Sequence, residues 1–593
     1  MLQLVRTPHG RRDSPPAMPT PTRNSSLPFR RGGFASLCAA LDYAARGETG
    51  LNFFDARGRL SSCLPYSVLQ SQAQAFARRL IAGGIGRGER LLLIAETWPG
   101  FCIAFFGAQY AGIVPVPVPV PIGLGAKDSY IATLRRSIEA SGAIGILAPD
   151  DLAAFAITAA EGTTARLAGT MAAFEAALPQ AAVALRPLTL GEACYVQFSS
   201  GSTRAPLGID IRQDQLMANI DGSIAIQELN EDDSGVSWLP LYHDMGLVGF
   251  MLAPMCAQRS VDLLAPRDFA RRPTQWLSLI SRRRATITYS PSFGYDLAAR
   301  RANGRTLDGI DLSCLRLAGV GADMIQMPML DRFAKTFAAA GFDARAFMAS
   351  YGMAEVCVGL TFGRRFGGIR LDSLTASRLG ATGKPRAFVV CGRLLPGHRI
   401  EVRSAESEPL ADRQIGRLFV QGPSVMPGYF DQAAESDKVL RDGWFDTGDL
   451  GYLTEGEIVI TGRAKDLIIV NGRNIWPQDI EWALETMPRL RRGDACAFSV
   501  DEGGGEAVIV VVQGAPSDPV QRQALVGEIH QLVREAAGVD CRIALISRQP
   551  GLPLTSSGKL SRAAAKVHYN AGAYGGAVDR QEPARLAGAA RFS

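Results

Sequence analysis

"YVQFSSGSTRAPLGIDI" (residues 195–211) joins two strand-like runs through a turn of small hydroxyl residues and glycine. Ser199, Ser200, Gly201, Ser202 and Thr203 offer backbone N–H groups and hydroxyls in succession, a composition suited to holding an anion such as phosphate. A loop that holds a nucleotide phosphate usually carries a lysine, yet here Arg204 and Leu207 occupy the later positions. Taken alone, such a turn is more often a plain surface loop. The rest of the chain has to decide between the two.

The chain has 593 residues, too many for one hydrophobic core, so two or more domains are expected. Apolar content of 47% and charged content of 20% are ordinary for a globular protein. No run reaches the ~18–20 uninterrupted apolar residues of a membrane span. The net charge of +6 is spread along the sequence without a basic block, which argues against a nucleic-acid partner. Ten cysteines show no CxxC pair and five histidines show no ligand spacing, which points away from structural zinc and toward a reducing, cytoplasmic compartment. Only seven of the 63 basic residues are lysines. A lysine retained inside a polar motif therefore suggests a task for a compact ammonium that guanidinium does not fill.

The first 34 residues are rich in Pro, Arg and Ser, lack the apolar core of a secretory signal, and read as a disordered extension that leaves Met1 and Met18 both open as starts. From "FASLCAALDYAARG" onward, helical patterns alternate with short apolar runs such as "RLLLIAE", "AIGILAP" and "ATITYSP", which predicts an α/β fold rich in parallel sheet. "IVPVPVPVP" cannot be a central strand, because proline has no N–H for the ladder. "GRGERL" is a helix stop and turn, and no internal repeat occurs. Near Arg463 the pattern changes to strand, turn and a helix opened by Pro477 with Asp479 and Glu481 in its first turn. The expected division is an extension at 1–34, a large domain of packed parallel-rich sheets and helices at 35–462, a small α+β domain at 463–573 and a flexible tail at 574–593.

Five further segments settle the opening question. They are "SWLPLYHDMGLVG" (237–249), "SYGMAEV" (350–356), "GWFDTGDLGYL" (443–453), "GRAKDLIIVNGRNIWPQDIE" (462–481) and "LPLTSSGKLSR" (552–562). In this order and spacing the chain, over about residues 35–570, resembles the adenylate-forming superfamily, which joins a carboxylate to AMP. Within it, "SWLPLYHDMGLVG", "PGFCIAFFGAQYAGIVPVPVP" and "NGRNIWPQDIE" are most similar to fatty acyl-AMP ligases. Several of those also carry Arg after the Ser-Thr pair and no lysine later in the loop. The turn is thus identified as a nucleotide loop whose N–H groups and hydroxyls hold the β- and γ-phosphates, with Arg204 supplying charge.

The resemblance implies ATP and Mg²⁺ as cofactors and assigns roles. Ser199, Ser200, Gly201, Ser202, Thr203, Gly321, Ala322, Asp323, Tyr351, Gly352, Met353, Asp449 and Arg463 would bind the nucleotide. Tyr351 would cover the adenine opposite Gly321 and Ala322, Asp449 would take the ribose hydroxyls, and Arg463 would reach the same ribose or the phosphate. Glu355 with Thr203 would hold the Mg²⁺, since a hard cation takes oxygen ligands. Lys559 would lie between the attacking carboxylate and the α-phosphate, cancelling their repulsion as negative charge builds. His243 would sit beside the carboxylate and the acyl tunnel, and Lys465 would be the hinge of a mobile small domain. Without the motifs, Asp449 and Arg463 read as a loop ion pair and His243 as a core histidine.

The implied reaction is ATP-dependent activation of a medium- or long-chain fatty acid, with pyrophosphate released. The acyl group would pass to the phosphopantetheine thiol of an acyl carrier protein or a synthase carrier domain. A fatty acyl-CoA ligase is the same-fold alternative, against which stands the long stretch between Glu355 and Cys391, similar to the insertion of acyl-AMP ligases. An inactive adenylate-binding protein is the second alternative, opposed by the retention of Glu355, Asp449, Arg463 and Lys559.

Overall fold

A computed structural model describes residues 27–121, 127–198, 207–302, 307, 309–375, 385–470, 473–501, 506–549, 551–555, 559–574 and 578–579. The loop of residues 199–204 lies outside them.

The apolar runs of the first half become the inner strands of two sheets. In the larger, the strands Gly50–Phe54, Val261–Leu264, Gly235–Ser237, Ile287–Ser290, Leu317–Val320 and Phe347–Gly352 run parallel, with antiparallel edges at Leu60–Pro65 on one side and Gly359–Phe362 and Arg393–Leu394 on the other. The second sheet is parallel throughout, in the order Val114–Val118, Arg90–Ile94, Gly145–Leu147, Leu167–Gly169. Its Val-Pro strand sits at the edge, where the missing proline donors disrupt no second neighbour. Leu91, Leu92 and Leu93 are fully buried, as expected for a parallel strand covered on both faces. Helix Tyr66–Ala82 turns Leu69, Ala73, Phe76, Ala77 and Leu80 inward, and its neighbour Pro99–Ala111 is buried almost all round before ending on Gly112 at φ 74°.

An antiparallel sheet of the strands Arg399–Arg403, Gly416–Gln421, Trp444–Thr454 and Glu457–Arg463 completes the large domain. Beyond it, Ala495–Asp501, Glu506–Gln513 and Arg542–Ile546 form a sheet covered by helices Pro477–Leu484 and Pro519–Ala537 around a core of their own, which includes Ile480, Leu484, Val510, Ile529 and Ile543.

Two boundaries differ from expectation. Part of the amino-terminal segment is packed: Leu27 and Phe34 are buried, the Arg30 guanidinium lies 4.0 Å over the Phe34 ring, and the Gly33 N–H donates to Asp221. Two apolar side chains in a Pro/Arg-rich stretch suffice once a large core offers a surface for them. In the expected tail, Val578–Asp579 pairs antiparallel with Ile543 and Ala544, extending the small sheet.

Candidate active site

The carboxyl ends of the central strands open into a cavity of 1630 Å³, larger than the ~300–1,000 Å³ usual for one small ligand. Tyr351, Gly352, Met353 and Glu355 reach it from the end of the strand Phe347–Gly352, and Ala322 from the turn after Leu317–Val320. Gly321 packs so closely on its neighbour that a Cβ would stand 2.6 Å from Ser350 Oγ. Ala322 has φ 69°, a left-handed conformation uncommon outside glycine, and its carbonyl accepts a hydrogen bond from Lys559 Nζ.

Asp449 and Arg463 face each other across the pair of strands Trp444–Thr454 and Glu457–Arg463. Arg463 Nε lies 3.3 Å from Asp449 Oδ1, and the Tyr351 hydroxyl donates to Asp449 Oδ2 at 2.7 Å. Burial pushes the Asp449 carboxyl up, against the pull of Arg463 and Tyr351. Burial also raises Glu355, again opposed by Arg463, while the Tyr429 hydroxyl stands 3.4 Å from Glu355 Oε1. His243 caps the short helix Asp244–Leu247, and its Nδ1 meets Asp244 Oδ1. Burial alone would raise Asp244; the adjacent His243 charge and hydrogen bond, with Lys559 beyond, hold it below the usual range.

The small domain brings Lys559 to the opposite wall. Residues Thr555 and Lys559 are tied by two hydrogen bonds, Thr555 N–H to Lys559 O at 2.7 Å and Lys559 N–H to Thr555 Oγ1 at 3.2 Å. Three residues on, Arg562 donates to Glu481 at 2.8 and 2.5 Å and to Asp466 at 2.8 Å. Burial disfavours its charge, but the two carboxylates hold the guanidinium protonated. This network fastens the lysine segment to Asp466, the residue beside Lys465.

Of the residues singled out in the sequence, His243, Ala322, Tyr351, Gly352, Met353, Glu355, Asp449, Arg463, Lys465 and Lys559 line the one cavity. Gly321 and Asp323 do not; Asp323 faces Arg492 of the small domain at 3.2 Å. Sequence reasoning missed Asp244, Tyr429 and the Arg562 network. Asp244 was legible as the neighbour of His243 and Arg562 closes the quoted motif of residues 552–562, but the partners of Arg562, Asp466 and Glu481, stand 96 and 81 residues away, and Tyr429 belongs to none of the quoted motifs. Among the described residues no group of three or more His, Cys, Asp or Glu could hold a metal ion.

An AMP-binding enzyme model matches residues 59–430. A protein of Caulobacter vibrioides named "Putative acyl-CoA synthetase" is 46% identical over 578 residues, 94% of this chain and 99% of the relative. A solved chain from work on fatty acyl-adenylate ligases of E. coli and L. pneumophila superposes with TM-score 0.88 at 41% identity, over 92% of this chain and all of that one. A medium-chain-fatty-acid–[acyl-carrier-protein] ligase of Moorena producens is 28% identical over 90% of this chain and 95% of its own. The chain belongs to the AMP-binding enzyme family, among its fatty acyl-AMP ligases.

Domain contact bears on stability. Residues 376–384 of the long stretch after Glu355 lie outside the described residues, but its hairpin Leu371–Leu374 with Arg386–Val389 is described. Leu374 and Phe388 pack with Trp476, the Arg386 guanidinium lies 4.9 Å from the Trp476 ring, and Arg386 pairs with Asp479 at 2.7 Å. Burial pushes the Asp479 carboxyl up to about 6, although Arg386 works against it. A carboxyl raised in the folded state contributes stability that is whole below its unfolded pKa and is lost as pH rises through about 6. Asp479→Asn should therefore gain Tm relative to the parent between pH 5 and pH 7.5. A difference independent of pH in differential scanning fluorimetry would contradict this.

Proposed function

We propose that the protein activates a fatty acid as its acyl-adenylate, using ATP with Mg²⁺ and releasing pyrophosphate, and then delivers the acyl group to the phosphopantetheine thiol of a carrier protein. The observation that carries the first step is the convergence of Lys559, His243, Glu355 and the Tyr351–Asp449–Arg463 group on one cavity from two domains.

Asp449 would accept from the ribose hydroxyls, with Arg463 and Tyr351 offsetting part of the cost of its burial. Glu355, which lines the cavity, would hold Mg²⁺ together with phosphate oxygens, since a hard cation takes oxygen ligands. When bound, the ion would neutralise phosphate charge. Lys559 points into the space between these groups and the His243–Asp244 pair, where an ammonium can screen a carboxylate from the α-phosphate. The proposed roles of Ser199, Ser200, Gly201, Ser202 and Thr203 rest on the motif resemblance alone.

Leu207, the position where related loops carry lysine, lines the cavity. If the hydroxyl loop is self-sufficient, Leu207→Lys should change adenylation less than about tenfold, or ~1.4 kcal/mol. Thr203→Ala should do more harm by removing a donor to phosphate. A rise of two orders of magnitude in Leu207→Lys would sink this account.

The second reading, a fatty acyl-CoA ligase, is favoured by the name of the Caulobacter relative. The hairpin wedged against Trp476 favours the carrier protein, since it restrains the small domain that must turn to admit a thiol. Supplying purified enzyme, fatty acid, ATP and Mg²⁺ with either CoA or a holo-carrier protein decides. Accumulated acyl-adenylate with CoA and acyl transfer with the carrier support the proposal, and efficient acyl-CoA formation replaces it.

A further inference from the structure

The cavity has a second part, running from Glu355 along the helix Gln213–Ile226. Asn219 on this helix donates to the carbonyls of Val356 and Gly359, both at 2.7 Å, which fixes one end beside Glu355. Ile220, Ser223, Ile224 and Gln227 follow at the three- and four-residue spacings that share a helix face, and all four line the cavity. Val248 and Phe250 close the opposite side, so most of the wall suits an alkyl chain.

Its far end is not apolar. Gln227 and Tyr289 both line the cavity, and the Tyr289 hydroxyl donates to Gln227 Oε1 at 2.9 Å. The Tyr289 ring lies where a side chain on Gly319 would be, since a Cβ there would stand 1.9 Å from it. That glycine admits a large aromatic whose only polar atom reaches the end of the tunnel. One turn before Gln227, Ser223 is 6% exposed, and its hydroxyl has no hydrogen-bond partner among the described residues. A buried hydroxyl without a partner is destabilising, and an alkyl chain would leave it so.

We infer that the acid activated here carries a neutral hydrogen-bonding group, a hydroxyl, on its distal part, received by Ser223, Gln227 and Tyr289. This rests on reading the cavity as the fatty-acid site. A distal carboxylate fits less well: Asp233, buried at 3% exposure, lines the same end with its charge answered by Arg316. Arg259 also lines it, but shares its field with Glu231, Asp232 and Asp233. Gln227 lies eight residues beyond Asn219, or ~12 Å at 1.5 Å per residue. An extended chain advances roughly 1.2 Å per bond, which puts the hydroxyl about ten carbons from the carboxylate.

The test compares 8-, 10- and 12-hydroxy acids with alkanoic and dicarboxylic acids of equal length, reading pyrophosphate release from the full-length enzyme. The kcat/KM ratio of hydroxy acid to alkanoic acid should exceed about ten at the best length. Tyr289→Phe and Ser223→Ala, which keep the shape of the wall, should each lower that ratio, and Gln227→Leu should bring it near one. A parent ratio at or below one, a preference for the dicarboxylic acid, or a ratio unmoved by all three variants would overturn the inference while leaving fatty-acid activation intact. Absence of pyrophosphate release with every acid would instead remove the activation reading on which it depends.

Discussion

Lys559→Ala is expected to lower acyl-adenylate formation by about a thousandfold or more, while ATP still binds. Two neighbouring cations are tied to carboxylates: the Arg463 guanidinium is engaged with Asp449, and that of Arg562 with Glu481 and Asp466. Among the described residues the Lys559 ammonium is held by the carbonyl of Ala322, a neutral partner that a carboxylate or phosphate oxygen can displace. A preorganised charge at a developing anion contributes several kcal/mol, each ~1.4 kcal/mol being a factor of ten in rate. ATP contacts from the large domain remain in the variant, so the loss should fall on turnover. Lys559→Arg should not rescue, because a planar fork cannot replace a point charge between two anions. The measurement is single-turnover formation of acyl-adenylate beside equilibrium ATP binding; near-normal adenylation in the alanine variant would strip Lys559 of the role.

The second large effect concerns the acceptor. Removing the hairpin Leu371–Leu374 with Arg386–Val389 should raise acyl-CoA output on the order of a hundredfold. Leu374 and Phe388 bury against Trp476 at the start of the small domain, and Arg386 both covers that ring and pairs with Asp479. These contacts are made in the arrangement that brings Lys559 to the cavity. A bias of ~3 kcal/mol toward that arrangement lowers the alternative more than a hundredfold. A docked carrier protein can offset it with interface contacts, whereas CoA offers much less surface. Because the hairpin also covers Tyr452 and Val459, its loss could unfold the domain. Arg386→Ala keeps the hairpin but removes the pair with Asp479 and the cover over the Trp476 and Phe388 rings, and should raise acyl-CoA output in the same direction by a smaller factor. If both variants stay folded by circular dichroism and neither makes more acyl-CoA, the hairpin does not select the acceptor.

Much of the site was legible because its parts lie in short, locally structured motifs. "FDTGD" and "GRAKD" sit on adjacent strands, so Asp449 and Arg463 meet through simple strand pairing. "SYGMAE" ends a central strand, which delivers Tyr351 and Glu355 to the sheet's carboxyl edge. The Val-Pro run declared itself an edge strand through its missing donors. The amino-terminal boundary was misread because composition reports the average of a segment and not the two apolar residues that dock.

The sequence by itself determined the α/β alternation, the presence of a small carboxy-terminal domain, and which side chains carry charge into the motifs. These follow from periodicity, proline and glycine chemistry, and residues close in the chain. Only the tertiary structure decided that Arg562 clamps Asp466 and Glu481 behind Lys559, that Asp323 turns to Arg492, that the hairpin braces Trp476, and that Gln227 and Tyr289 meet in the cavity wall. Each is a contact between segments tens to hundreds of residues apart. Its energy exists only after both cores have formed, so no local pattern of residues records it.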